Sequence, residues 1–114
     1  MLKRENRLLP GIRFNNSFTV SVPEFVLKKK ENELLINRFG IVVSKKIDKR
    51  AVIRNKIKRM LRTILIDLNE KMIPGHDILF IVKPAILSKT KEENYLIVKS
   101  ALKKIGLLKI KDKK

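Results

Sequence analysis

The chain has 114 residues, of which 28 are Lys or Arg and 11 are Asp or Glu, so its formal net charge is +17. This length allows one domain, and a hydrophobic content of 44% is enough for a core, which excludes a disordered basic tail. The absence of cysteine and the single histidine exclude disulfides, cysteine nucleophiles and His-rich metal sites.

The excess of positive charge requires an anionic partner, which is nucleic acid, an anionic membrane or an acidic protein. No apolar run approaches the roughly 18 residues of a membrane span. Residues 1–7 lack the apolar stretch of a signal peptide. We therefore expect a cytoplasmic chain that forms a single domain over residues 1–114, with flexible segments at 1–16 and 107–114.

Three strand patterns come first along the chain. Residues 17–22 alternate between polar and apolar, residues 24–30 begin with an apolar run, and residues 38–44 are β-branched and apolar. A long helical pattern then covers 49–72, with Asp48 as its predicted N-cap residue.

A continuous apolar strand over 77–82 and a last helix complete the order β-β-β-α-β-α. Thr90 opens that helix with capping-box spacing, and Gly106 is its predicted C′ residue. The order predicts an α+β fold with a single-layer, mostly antiparallel four-stranded sheet packed against helices. The strands before and after the long helix should run parallel through a β-α-β crossover, adjacent or not, and should lie at the centre of the sheet.

Positive charge is concentrated in residues 45–62, which hold nine basic residues and one acid, Asp48. Four of the eight arginines fall here, although the chain has 20 lysines. Arginine binds phosphate through two parallel hydrogen bonds and stacks on bases, so this concentration indicates a nucleic-acid contact. The alternative is a solvated basic helix face, the usual outcome for a run of charge. A second, lysine-rich cluster occupies the C-terminus.

The long helix separates its apolar and basic residues. At about 100° per residue, the apolar residues between Ile53 and Leu68 fall in one arc of roughly 100°, which can pack on the sheet. The neighbouring arc carries Arg54, Asn55, Lys58, Arg59 and Arg62. No acid lies between residues 50 and 62 to form i,i+4 pairs, so we predict that a polyanion lies across this arc.

Two segments resemble the signature of the bacterial ribonuclease P protein component. They are Phe39-Gly40-Ile41-Val42-Val43-Ser44-Lys45-Lys46-Ile47 and Ala51-Val52-Ile53-Arg54-Asn55-Lys56-Ile57-Lys58-Arg59-Met60-Leu61-Arg62. That family carries an Arg-Asn pair, a Lys-Arg pair and a further Arg on its central helix, and Lys56 stands where a second Arg is usual. The likeness extends over residues 2–8 and 24–105.

The resemblance implies the protein subunit of a ribonucleoprotein that removes the 5′ leader from precursor tRNA. Its partners would be the catalytic RNA and precursor tRNA, with no membrane and no DNA. The RNA would perform the hydrolysis with Mg²⁺ held mainly by RNA and substrate, so no catalytic residue is expected in the protein. The implied fold is the ribosomal-protein-S5-domain-2-like α/β sandwich. The residues expected to bind the catalytic RNA are Lys45, Lys46, Arg50, Arg54, Asn55, Lys56, Lys58, Arg59 and Arg62.

The resemblance also implies a cleft for the single-stranded leader, lined here by Phe14, Phe18, Phe25, Val26 and Lys28. Phe14 and Phe18 have the i,i+4 spacing of an aromatic pair that the family places on a first helix, but residues 13–18 are poor helix formers. Lys28 stands where the family often has an aromatic residue, so we expect leader binding to depend more on charge than on stacking. Core packing is the alternative for the phenylalanines and for Val26.

Other functions fit parts of this pattern. A ribosomal or other structural RNA-binding protein shares the size and the charge. A stand-alone nuclease needs a paired acid and base, and His76 in a turn has no evident partner. A DNA-reading helix would project from the domain, and a membrane-surface helix would expose large apolar residues. Burial of the apolar arc argues against both.

Overall fold

The strands and helices follow the predicted order. The computed structural model describes Arg7 and residues 17–109. The prediction of one domain over residues 1–114 stays a prediction, because the remaining residues lie outside the described part. A short 3₁₀ helix at Pro84–Ser88 was not predicted. The other elements are β1 (Phe18–Ser21), β2 (Phe25–Glu31), β3 (Arg38–Val42), α1 (Ala51–Asn69), β4 (His76–Val82) and α2 (Lys91–Lys104).

The four strands form one mixed sheet in the order β1-β2-β4-β3. β2 pairs antiparallel with β1 and β4, whereas β3 and β4 are parallel neighbours. This confirms the α+β class, the mostly antiparallel sheet and the parallel strands joined through α1. The prediction that both of these strands are central is wrong for β3, which lies at the edge. A β-branched apolar run indicates burial but does not specify neighbours, and here Arg7 forms a parallel bridge with Phe39 on the outer edge of β3.

One face of the sheet forms the core with both helices. Side chains alternate between the two faces of a strand, which places Phe25 and Leu27 of β2 beside Phe80 of β4 on this face. All three are fully buried, and the rings of Phe25 and Phe80 meet edge-on with centroids 5.1 Å apart. The helices add Ile57, Leu61, Ile64, Leu65 and Leu68 from α1, and Val98, Ala101 and Leu102 from α2.

The helix ends follow from local hydrogen bonding. α1 ends at Asn69, before the predicted residue 72, because the chain turns and brings Met72 into an antiparallel bridge with Leu108. α2 begins as predicted, since Thr90 and Glu93 form a reciprocal capping box. Gly106 has a φ of +83°, as its predicted C′ position requires.

The segment after α2 packs onto the domain as far as Lys109. Leu107 is fully buried, and the Lys109 N–H donates to the carbonyl of Lys71 at 2.8 Å. Residues 107–109 thus pack onto the domain because a leucine after the helix fills the core, and the expectation of a flexible segment over 107–114 stays a prediction.

Candidate nucleic-acid interface

The segment between β3 and α1 forms a tight corner that carries exposed lysines. The Ile47 N–H closes a turn by donating to the carbonyl of Ser44 at 3.0 Å. The Asp48 carboxylate then accepts the backbone N–H of Arg50 at 2.8 Å and its guanidinium at 3.1 and 3.0 Å. These hydrogen bonds lower the pKa of Asp48 to about 2, so the carboxylate is ionised at neutral pH. The exposed lysines of this corner are Lys45, Lys46 and Lys49.

The start of α1 differs from the prediction. Its N-cap residue is Arg50, which makes no side-chain cap, rather than Asp48. Asp48 lies two residues earlier and accepts the Arg50 backbone N–H, as in an Asx turn. Arg54 ties the helix to this corner, because its Nη1 donates to the carbonyls of Asp48 and Lys49, both at 2.9 Å. The first turn has no acidic residue, so the positive end of the helix dipole adds to the field of the lysines.

The buried face of α1 is displaced toward the basic residues relative to the predicted arc. Ile53 and Met60 are only partly buried, whereas Leu65, which lay outside that arc, is fully buried. At 100° per residue, Leu65 falls between Arg54 and Lys58. The basic arc is therefore divided into two sets by burial. Arg54, Lys58 and Arg62 flank the core and are half-buried, while Asn55 and Arg59 are exposed, as is Lys56 beyond the arc.

The corner and the polar side of α1 together form what we call the basic surface. It consists of Lys45, Lys46, Lys49, Arg50, Arg54, Asn55, Lys56, Lys58, Arg59 and Arg62. Lys49 belongs to the basic run of the sequence but was not among the predicted RNA-binding residues. We include it in the basic surface because it is exposed in the corner. In the part of the chain that the structure describes, Asp48 is the one carboxylate that pairs with this surface, through Arg50. The other cations of the surface have no carboxylate partner there.

The residues predicted to line a leader cleft do not share one face of the sheet. Phe18 is 70% exposed and pairs across the strands with Lys29, whose Nζ lies 5.4 Å from its ring centroid. Phe18 and Phe25 lie on the helix side, whereas Val26 and Lys28 alternate to the opposite face and are half-buried. Phe25 is fully buried, so it is a core residue, which corrects its assignment to the cleft. Phe14 lies outside the described residues.

Residues 17–109, together with Arg7, offer no cluster of three or more His, Cys, Asp or Glu side chains that could hold a metal ion. His76 begins β4, and its backbone N–H donates to the side chain of Asn37 at 2.9 Å. Its buried Nδ1 has no hydrogen-bond partner within these residues. Over the same range, no helix combines the length and the apolar character needed to cross a bilayer.

Comparison with known proteins decides the family. The family model described as Ribonuclease P matches residues 2–106. The chain belongs to the ribonuclease P protein family. The ribonuclease P protein component of Clostridium botulinum (strain Langeland) is 39% identical over 111 residues, which cover 93% of this chain and 94% of the relative. That of Haemophilus influenzae (strain PittGG) is 39% identical over 87 residues, covering 73% and 72% of the two chains.

Solved ribonuclease P proteins share the fold. The protein from Staphylococcus aureus is 28% identical with a TM-score of 0.76, covering 84% of this chain and 87% of that one. The protein from Thermotoga maritima is 26% identical with a TM-score of 0.66, covering 81% and 83%. The predicted family and function are thereby confirmed. The chain is the protein component of the endoribonuclease that processes the 5′ end of tRNA, and it associates in general with ribonuclease P RNA and precursor tRNA.

Proposed function

We propose that the basic surface binds the catalytic RNA of ribonuclease P, and that the opposite face of the sheet receives the leader of precursor tRNA. The observation that carries the first part is the basic surface itself, which sets nine cations beside one paired carboxylate. Cations so close together repel one another, and a polyanion across them removes that repulsion.

The basic surface is also rigid, which suits it to position a folded RNA. Arg54 joins the first turn of α1 to the corner through two hydrogen bonds to backbone carbonyls. The other side of α1 is anchored in the core by fully buried residues such as Leu61 and Leu68. Phosphate contacts from such a surface fix the orientation of the protein on its RNA rather than read sequence.

The leader would lie on the sheet face that α1 and α2 leave uncovered. Val26 pairs with Ile81 and Lys28 pairs with Leu79 on that face, which gives a half-buried apolar floor with an ammonium group. Phe18 and Phe25 are on the other side of the sheet. A lysine contributes phosphate contacts with a strong salt dependence, whereas an aromatic ring contributes stacking of about 1–3 kcal/mol per base. Leader binding in this protein is therefore mainly electrostatic.

In this proposal the protein contributes binding and the RNA contributes the reaction. Mg²⁺, when bound by oxygens of the RNA and the substrate, would supply the charge stabilisation for hydrolysis. The residues of this chain bind the two RNAs and reduce the repulsion between their phosphates. The reaction takes place in the cytoplasm.

The test is reconstitution with a bacterial ribonuclease P RNA and a precursor tRNA at a limiting Mg²⁺ concentration. The wild-type chain is expected to restore cleavage. Arg59→Ala should weaken binding to the catalytic RNA by about tenfold, because it removes one charge-assisted contact with phosphate. Lys99→Ala is the matched control, since Lys99 is an exposed cation on α2 outside the basic surface.

Two outcomes would contradict the proposal. If Arg59→Ala behaves like Lys99→Ala, the basic surface is not the RNA contact. If the chain binds the catalytic RNA but leaves cleavage unchanged, it is a structural RNA-binding protein without a role in the reaction, which is the alternative considered from the sequence.

A further inference from the structure

The exposed face of α1 carries an apolar residue close to the start of the helix. Val52 is 67% exposed, although it lies in the first turn of a helix whose other side is deeply buried. With 3.6 residues per turn, Val52 shares one face with the exposed residues Asn55, Lys56 and Arg59, at i+3, i+4 and i+7. This face is opposite to Leu61 and Leu68, so Val52 cannot contribute to the core.

The fold gives no reason for a valine at this position. A β-branched side chain loses rotamer freedom in a helix, and an exposed one gains no burial in return. Single exposed apolar residues are common on proteins, so exposure alone carries no argument. The surroundings of Val52 are what distinguish it, because an exposed apolar side chain sits among the cations and the amide that would meet the RNA.

Leu96 shows the contrast on the same molecule. It is 64% exposed on α2, close to the exposure of Val52. It lines an apolar groove of about 310 Å³ with Val22, Pro23 and Ile97. The apolar neighbours of Leu96 are therefore residues of the domain itself. Val52 has exposed polar neighbours on its helix face, so an apolar contact with it would have to be made by a bound molecule.

We propose that Val52 is a contact residue for the catalytic RNA, packing against the face of an unstacked base between phosphates held by Lys56 and Arg59. This inference rests on the proposed function of the basic surface. The deep major groove of A-form RNA does not admit a helix, and bases become accessible to side chains in loops, bulges and ends. An apolar side chain next to the phosphate contacts of Lys56 and Arg59 would therefore locate the helix on an irregular part of the RNA, where phosphate contacts alone would let it slide.

The experiment measures affinity for a bacterial ribonuclease P RNA as a function of salt concentration. A plot of log affinity against log salt separates phosphate contacts from apolar contacts. The slope of log affinity against log salt reports phosphate contacts, and the affinity extrapolated to 1 M salt reports the rest. Val52→Ala and Val52→Gln should leave the slope unchanged and lower the extrapolated affinity by roughly fivefold, because apolar area buried against the base is lost. Leu96→Ala and Leu96→Gln are the matched controls and should change neither quantity.

Val52→Lys gives the sharpest contrast with a purely electrostatic surface. If only charge mattered, the added lysine would raise both the slope and the affinity. The proposed apolar contact instead requires a lower affinity at 1 M salt, whatever happens to the slope. Circular dichroism and thermal unfolding of each variant establish that α1 is intact before its affinity is interpreted.

The outcomes separate this inference from the function on which it rests. Loss of slope in Arg59→Ala together with wild-type intercepts in all three Val52 variants would overturn the role of Val52 and leave the basic surface in place. Wild-type slope and intercept in Arg59→Ala would overturn the basic surface, and the Val52 contact with it.

Discussion

Arg54 and Arg59 belong to the same motif but have different environments. Arg59 is exposed and has no carboxylate partner among the described residues. Arg54 is half-buried and donates two hydrogen bonds, to the carbonyls of Asp48 and Lys49. The two arginines share the basic arc but differ in role, because the Arg54 guanidinium joins the corner to the helix and the Arg59 guanidinium is left exposed.

A mutation at each arginine should separate these roles. Arg54→Ala is expected to lower the free energy of unfolding by about 1 kcal/mol, because two backbone carbonyls lose a charged donor. Arg59→Ala should leave unfolding unchanged. Urea denaturation measures both, and faster amide exchange at residues 47–50 in Arg54→Ala alone would place the effect in the corner. Equal unfolding free energies for the two variants would show that the hydrogen bonds of Arg54 add no stability.

At the scale of elements, the periodic segments were predictable and the interfaces between them were not. The 3.6-residue period of α1 and the capping box of Thr90 and Glu93 are local signals, and both helices formed, α2 beginning at its predicted cap and α1 shorter at both ends than predicted. Which strand becomes an edge depends on pairing between segments far apart in the chain. The apolar run of β3 predicted a central strand. That run does not show which strand pairs with β4 on its other side, and in the sheet this partner is β2, which leaves β3 at the edge.

The same limit explains the errors in the site. The basic residues of α1 were found because Arg, Asn and Lys recur in a helical pattern next to an apolar arc. The rotation of α1 is set by α2 and the sheet, which bury Leu65 and leave Ile53 only partly covered. Phe25 was misassigned because an apolar residue at the start of a strand carries no signal for which face it occupies.

One ion pair joins β3 to β4 at the end of the sheet where β4 begins, and the residue that follows β2 hydrogen-bonds to it. Arg38 of β3 donates to both carboxylate oxygens of Asp77 in β4 at 2.8 Å, and the side-chain amide of Asn32 donates to the same carboxylate at 3.0 Å. The Asp77 side chain is 2% exposed and that of Arg38 is 21% exposed. The hydrogen bonds with Asp77 raise the pKa of Arg38.

Removing the carboxylate should therefore destabilise the whole sheet end. Asp77→Ala is expected to lower the free energy of unfolding by about 2 kcal/mol, because the half-buried Arg38 guanidinium and the Asn32 amide lose their acceptor. Glu92→Ala is the control, since Glu92 is an exposed acid in the first turn of α2. Chemical denaturation compares the two, and a similar small change in both variants would contradict a structural role for the pair.

At the scale of the whole molecule, the net charge of +17 has two components that composition cannot separate. One is the basic surface, whose cations are held on a corner and a helix that the core fixes in place. The other is diffuse, and it includes the lysines at 111, 113 and 114, which lie outside the described residues. Positive charge of any distribution attracts a polyanion, but the proposed role of the basic surface in orienting the catalytic RNA requires cations at defined positions.

Variants with equal charge changes test this distinction. Replacing Lys45, Lys46 and Lys49 with glutamine, or Lys111, Lys113 and Lys114 with glutamine, removes three positive charges in each case. Each lysine that contacts a phosphate contributes roughly 0.7–0.9 to the slope of log affinity against log salt, so the corner variant should lose about two units of slope. It should also lose cleavage at limiting Mg²⁺, because fixed contacts are missing. The variant at Lys111, Lys113 and Lys114 should change mainly the slope and retain cleavage. Equal loss of cleavage in both variants would mean that total charge, rather than its position, supports the reaction.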